Sequence, residues 1–276
     1  MTRSKWDQRI ERAEALGVAH PFAAEAMRFY KRIASLQKEL YLSLEKTSGE
    51  NNSGSYSKSS GNGLLISELN FNLLLPRFPL FLSDIESEAP ERIAESARDL
   101  KAQTPERWKD LLASHWQNAS HFEPASGDTE SLIAWMFLQP YAEYLADHRA
   151  TVPTNGSLAI CPACSARPLV GVLRPEGDGA KRSLICSVCA TEWPYRRIVC
   201  PACGEETVEK LAVYTADQFK HVRVEACDTC RYYIKTVDLT KNGHAVPVVD
   251  ELATIPLNLW AQEHQYAKLR ANLLGI

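Results

Sequence analysis

Eight cysteines are the chemically loaded residues of this 276-residue chain, and all lie between Cys161 and Cys230. They fall into four Cys-x-x-Cys pairs: Cys161/Cys164, Cys186/Cys189, Cys200/Cys203 and Cys227/Cys230. A two-residue spacer lets a tight turn aim both thiolates at one ion, and four such sulfurs complete a tetrahedral shell for zinc or iron. A single pair would equally suit a thioredoxin-like redox site; four pairs with no cysteine left over point to metal. The N-terminus is charged and lacks an apolar export core, so disulfides are not expected.

An internal repeat suggests which pairs share an ion. Cys161-Pro162-Ala163-Cys164 recurs letter for letter as Cys200-Pro201-Ala202-Cys203. In each half the second pair is trailed by an aromatic, Trp193 or Tyr233. Each half then reads as a ribbon of knuckle, hairpin and knuckle around one ion, pairing first with second and third with fourth. Interleaved pairing, first with third and second with fourth, is the competing arrangement. A ribbon of ~40 residues buries too little apolar surface to fold alone, so the ion supplies folding free energy. A shell of four cysteines leaves no open position for water or substrate, which argues against hydrolytic metal catalysis. Ligand type does not separate iron from zinc. Ser165 follows the first knuckle where glycine would more easily take a left-handed turn.

The elements around the cysteines divide at about residue 152. Before it the chain reads as helical. Pro21 is placed to open a helix. Phe22, Ala26, Phe29, Ile33, Leu36, Leu40 and Leu44 then share one face. Residues 46–63 are rich in Ser, Gly and Asn and read as a flexible loop. Leu64 to Leu82 is broken by Pro76 and Pro79 into short pieces. Thr104-Pro105-Glu106 is a helix start, with a capping hydroxyl, a first-turn proline and an acid at the positive dipole end. A further helix is predicted over 131–148, with Leu132, Trp135, Met136, Tyr141, Tyr144 and Leu145 inward, and Pro140 kinking or dividing it. These aromatics read as core rather than as a cofactor pocket. Pro153, Asn155 and Gly156 make a linker. Beyond it, 169–173, 183–185, 210–214, 222–225 and 232–237 read as short strands. After Pro247 the pattern turns helical through Leu257, Trp260, His264, Leu269 and Leu273.

The fold expected is therefore α+β and multidomain: a helical domain over 1–152, four-cysteine modules at 153–198 and 199–246, and a C-terminal helical segment at 247–276.

Other chemistry finds little support. The seven histidines are scattered, with no helical His-x-x-x-His pair, and phosphate-loop, Gly-x-Gly-x-x-Gly and Gly-x-Ser-x-Gly motifs are absent. Asp250-Glu251 reads as a solvated turn or helix start. A formal charge of −3 disfavours nucleic acid. From Cys161 to Asp250, twelve Lys/Arg face eleven Asp/Glu; eight thiolates around two divalent ions make that region acidic. Clustering of Arg167, Arg174, Lys181, Arg182, Arg196, Arg197, Arg223 and Arg231 on one face is the feature a nucleic-acid-binding zinc ribbon would need. No run reaches the ~18 apolar residues of a membrane-spanning helix.

Particular strings resemble the FdhE-type formate dehydrogenase accessory proteins. They are Pro140-Tyr141-Ala142, Cys161-Pro162-Ala163-Cys164, the run from Glu225 through Cys227 and Cys230 to Lys235, Asp250-Glu251-Leu252-Ala253-Thr254, and Leu257 to Glu263. The chain departs from the family pattern at Ser165, Glu251 and Asn258, none of them a predicted ligand. The resemblance implies a cytoplasmic, non-enzymatic maturation factor, a chaperone that binds the formate dehydrogenase catalytic subunit before twin-arginine export. It also implies rubredoxin-type iron in two rubredoxin-like modules behind a helical domain. A rubredoxin-like electron carrier or a thiol–disulfide protein is the principal alternative, and a nucleic-acid-binding ribbon the lesser one.

Overall fold

The computed structural model describes residues 4–50, 68–119, 128–149 and 158–276. Helix α1 (Lys5–Ala19) begins where the Ser4 side chain accepts the Asp7 N–H. A 3-10 turn at Pro21–Ala23 leads into α2 (Ala24–Glu50). This helix passes the expected loop start at residue 46; residues 51–63 of that loop, and linker residues 153, 155 and 156, lie outside the described residues. Two short helices, α3 (Phe71–Leu74) and α4 (Phe78–Glu88), occupy the proline-broken stretch, and α5 (Glu91–Lys101) follows. Thr104 caps α6 (Pro105–Asn118) by accepting the Arg107 N–H. Phe22 departs from the predicted face: it is half exposed, its ring against His20 and Phe219.

Helix α7 (Thr129–Asp147) is the hub, buried from Leu132 to Leu145 apart from Gln139 and packed by α2, α5 and α6. A helix that is apolar nearly all round can only sit inside. It runs unbroken through Pro140, whose missing N–H leaves the Met136 carbonyl without its helical partner. Gln37, 1% exposed, supplies that bond: its Nε2 donates to the Met136 oxygen at 2.7 Å. Gln37→Leu should therefore lower stability by about 1–3 kcal/mol, the cost of an unpaired buried carbonyl. A denaturation midpoint equal to that of the parent protein would remove this role.

Seven strands follow: β1 (Pro168–Glu176), β2 (Gly179–Cys186), β3 (Glu192–Pro194), β4 (Leu211–Thr215), β5 (Val222–Cys227), β6 (Tyr232–Asp238) and β7 (Ala267–Lys268). They form one sheet in the order β3-β2-β1-β6-β5-β4, with β7 also beside β6. Each half of the cysteine region supplies an antiparallel meander, and the halves join through parallel pairing of β1 with β6, Val170 opposite Lys235. Gly171 faces Thr236 there, and any Cβ on it would meet the Thr236 Oγ1. Two helices, α8 (Pro247–Ala253) and α9 (Ile255–Glu263), then pack back. The predicted helical run ends at His264, because Gln265 takes φ 61° and the next residues extend into β7. Leu269 and Leu273 are buried from an irregular tail instead.

One apolar core joins helical residues Ile33, Trp135 and Tyr144 to Cys161, Cys186 and Trp193. A second, between sheet and α9, holds Val170, Val224, Phe219, Val237 and Leu257. The architecture is a helical N-terminal region, then a sheet region carrying both cysteine clusters, then C-terminal helices. No helix among the described residues is long and apolar enough to cross a membrane.

Candidate metal centres

Each Cys-x-x-Cys pair lies on a tight turn closed by a left-handed residue: Ser165 (φ 63°), Ala190 (φ 53°), Gly204 (φ 78°) and Arg231 (φ 61°). The turn is tied by backbone bonds, Ser165 N–H to the Cys161 oxygen (2.9 Å), Gly204 to Cys200 (3.0 Å) and Arg231 to Cys227 (2.8 Å). Amides of Ala163, Val188 and Ala202 point at the sulfurs of Cys161, Cys186 and Cys200, 3.3–3.4 Å away. Such donors favour the thiolate, the form a metal binds. Gly204 alone of the four avoids the steric cost of the left-handed turn. Gly204→Ala, with open space around the new methyl, should cost about 1 kcal/mol from backbone strain. Metal content should not change; a loss of metal would show that more than backbone conformation is involved.

The turns gather the sulfurs in sequential pairs. Cys161, Cys164, Cys186 and Cys189 form one cluster and Cys200, Cys203, Cys227 and Cys230 the other, all sulfurs of a cluster lying within 4.8 Å of one another. Separations are 3.6 Å for Cys161–Cys189, 3.3 Å for Cys164–Cys186, 3.5 Å for Cys164–Cys189, and 3.7 Å for both Cys200–Cys230 and Cys203–Cys227. Four sulfurs about 2.3 Å from a central ion stand about 3.8 Å apart along the edges of a tetrahedron. Disulfide sulfurs stand about 2.05 Å apart. The donor set and spacing fit one tetrahedral ion per cluster.

The clusters differ in surroundings. The first is buried throughout; in the second, Cys203 is exposed and Cys230 half-buried. Protons crowd both. Hydrogen bonds from Cys164, Cys186 and Cys189 hold Cys161 far below the usual thiol value, while the hydrogen bond to Cys161 pushes Cys164 up and burial pushes Cys186 up. Burial takes Cys200 up to about 11. It also opposes ionisation of Cys227, but the amides of Cys230 and Thr229 outweigh it and leave that thiol lowered. An ion entering either cluster must expel protons, so acid weakens its hold.

Several supporting residues carried no sequence signal. The Glu205 carboxylate accepts from the amides of Thr207 (2.9 Å) and Glu206 (3.1 Å) and from the Thr229 hydroxyl (2.6 Å), bracing the third knuckle against the fourth. Hydrogen bonds from Thr207 and Thr229 bring it down to about 2. The acidic doublet corrects its sequence reading: it lies in α8, but Asp250 and Glu251 are 1% and 0% exposed. Asp250 meets Arg12 (2.5 Å) and His221 (2.7 Å), tying α1 to the sheet region. Glu251 meets Lys235 (3.0 Å), Lys268 (2.5 Å) and Asn272 (2.9 Å). The charge pattern along the chain does not reveal burial, because every partner is distant in sequence. Most of the basic residues a nucleic acid would need are also neutralised: Arg174, Lys181, Arg182, Arg196, Arg223 and Arg231 each pair with a carboxylate.

Known proteins share this arrangement. The family model "FdhE, central domain" matches residues 160–197, and "FdhE, C-terminal domain" matches residues 198–274. A protein named FdhE homolog from Aquifex aeolicus is 28% identical over 256 residues, 92% of this chain and 87% of that protein. One from Shewanella oneidensis is 31% identical over 184 residues, 64% of this chain and 58% of its own length. The crystal structure of the FdhE protein from Pseudomonas aeruginosa superposes with a TM-score of 0.71, covering 99% of this chain and 97% of that one at 23% identity, which shows a common fold. Both FdhE domain models match in order, one over each cysteine cluster, and FdhE proteins are what the chain resembles along its length.

Proposed function

We propose that this chain is a non-enzymatic accessory chaperone for formate dehydrogenase, working in the cytoplasm and binding the enzyme's catalytic subunit before export. In this reading its parts are the helical unit 1–152, the modules 153–198 and 199–246, and the segment 247–276. Cys161, Cys164, Cys186 and Cys189 ligate one ion and Cys200, Cys203, Cys227 and Cys230 a second, each zinc or rubredoxin-type iron. The observation carrying the proposal is the pair of closed four-sulfur clusters inside two FdhE domains. A fourth cysteine fills the position where a catalytic zinc binds water, so the ions act on folding and shape rather than on a substrate. Co-purification tests it. Tagged full-length protein should enrich the catalytic subunit from extract, and a deletion strain should lose formate oxidation. No enrichment together with normal oxidation would refute it.

One observation favours a second reading, a rubredoxin-like electron carrier: Cys203 is exposed, so an iron held there would lie near solvent. A visible absorption band bleached by one electron per iron supports it; a colourless zinc protein rejects it.

A further inference from the structure

The two ends of the sheet are built differently. At one end β3 is three residues long, carries Glu192 and finishes in Pro194. Short length, charge and proline are the usual means of keeping a sheet edge from pairing. At the other end β4, Leu-Ala-Val-Tyr-Thr, has no charge, no proline and no bulge, and pairs over all five residues with β5. Apart from the Leu211 N–H, which donates to the Val208 oxygen, its outer N–H and C=O groups bond nothing among the described residues. That edge is open.

The strand's two faces also differ. Tyr214 packs on Trp260 and Tyr266. Leu211 and Val213 line a cavity of about 200 Å³ floored by β4, β5 and β6 and walled by Ile198 and Val208. Val213, Ile198 and Val208 are 53%, 53% and 61% exposed, an unusual concentration of apolar surface on one rim. The cavity is polarised. Cys227, opposite Leu211, puts the second cluster at one end, while Arg223, opposite Thr215, marks the other. Arg182 and Arg223 both pair with the Glu225 carboxylate in its lining, which leaves the exposed Arg197 as the guanidinium there without a carboxylate among the described residues. Arg182 is 2% exposed, with Nη1 donating to the Arg196 and Val199 oxygens and Nη2 to Glu225, so it backs the lining and leaves Arg197 to meet a ligand.

From the open edge, the apolar rim and the arginine end, we infer that β4 is a docking strand. Its occupant is an extended segment of the client protein that pairs with β4 as an added strand, sets alternate apolar side chains against Ile198, Val208 and Val213, and places a carboxylate at Arg197. Main-chain bonding supplies the affinity of such strand addition, and side chains on alternate positions supply selectivity. The client is the one named under the proposed function, and this inference rests on that reading.

The test uses the metal-loaded full chain with a photoreactive amino acid at Val213 or, as control, at Val18, 81% exposed on α1. Mixed with catalytic subunit, the Val213 probe should cross-link to one short, acidic and apolar segment, and the Val18 probe should not. A synthetic peptide of that segment should compete. Its alternately N-methylated form, its Asp/Glu→Lys form and the chain variant Arg197→Glu should each weaken competition at least tenfold. Equal cross-linking from both positions, N-methylation without effect, or Val213 cross-links only to a second copy of this chain would each overturn the inference. Absence of any complex with the unmodified chain would instead refute the proposed function. A complex that forms normally with Val213→Glu refutes only the docking strand.

Discussion

Cys186→Ser is expected to halve the metal content and to melt more than the ribbon it belongs to. Cys186 is 1% exposed and shares its core with Ile33, Trp135 and Tyr144 of the helical region. Loss of its thiolate leaves three sulfurs, and structural zinc contributes on the order of 10 kcal/mol to ribbons of this kind. A deficit of that order exceeds the margin of a typical domain, so β1–β3 should lose protection and the helices packed on them should soften. Cys203→Ser gives the contrast. Cys203 is exposed and none of its cluster's cysteines belongs to the core shared with the helices, so the variant should also lose one ion while the helical melting transition stays put. Elemental analysis with calorimetry reads both. Equal melting for the two variants, or two ions retained by Cys186→Ser, would contradict this assignment.

Glu251→Ala is expected to cost about 3–5 kcal/mol, because it strands a charge that the fold has closed in. Lys235 is 0% exposed; burial brings its ammonium down to about 7, and Glu251 opposes that shift. Without Glu251 the folded state binds the Lys235 proton still more weakly, while the unfolded chain keeps it to about 10.5. The folded variant then holds fewer protons than the unfolded one, so its stability rises with pH. The penalty should be largest in mild acid, shrink as pH rises towards about 7, and level off above it, where Lys235 is neutral in both folded proteins. Glu251's own carboxyl, held below its usual range against burial by Lys235 and Lys268, protonates only in stronger acid. Urea melts at several pH values measure the trend; a penalty independent of pH would show that lost packing, not charge, dominates.

Local chemistry was readable in the sequence where a few neighbouring residues decide the outcome. Thr104-Pro105-Glu106 starts a helix because hydroxyl, ring and acid act within one turn, and it does so here. The Cys-x-x-Cys turns are equally local, and the repeat of Cys-Pro-Ala-Cys already favoured sequential grouping of the sulfurs. Ser165 takes the left-handed conformation even without glycine, since the knuckle's backbone bonds hold it there. Long-range features were not readable. Nothing in Val170 or Lys235 announces that their strands pair in parallel and fuse two meanders into one sheet. Gln37 looks like any polar helix residue until Pro140, a hundred positions on, leaves a carbonyl for it. Asp250 and Glu251 read as solvated because Arg12, Lys235 and Lys268 come to them only through folding.

Metal and thiol stoichiometry of the freshly purified full chain, taken together in one anaerobic preparation, bears most directly on the two four-sulfur centres. Two zinc or iron ions per chain are expected, with eight thiols silent to alkylation until a chelator or denaturant releases them. Eight reactive thiols with no bound metal, or sulfurs joined to one another as disulfides, would contradict that expectation.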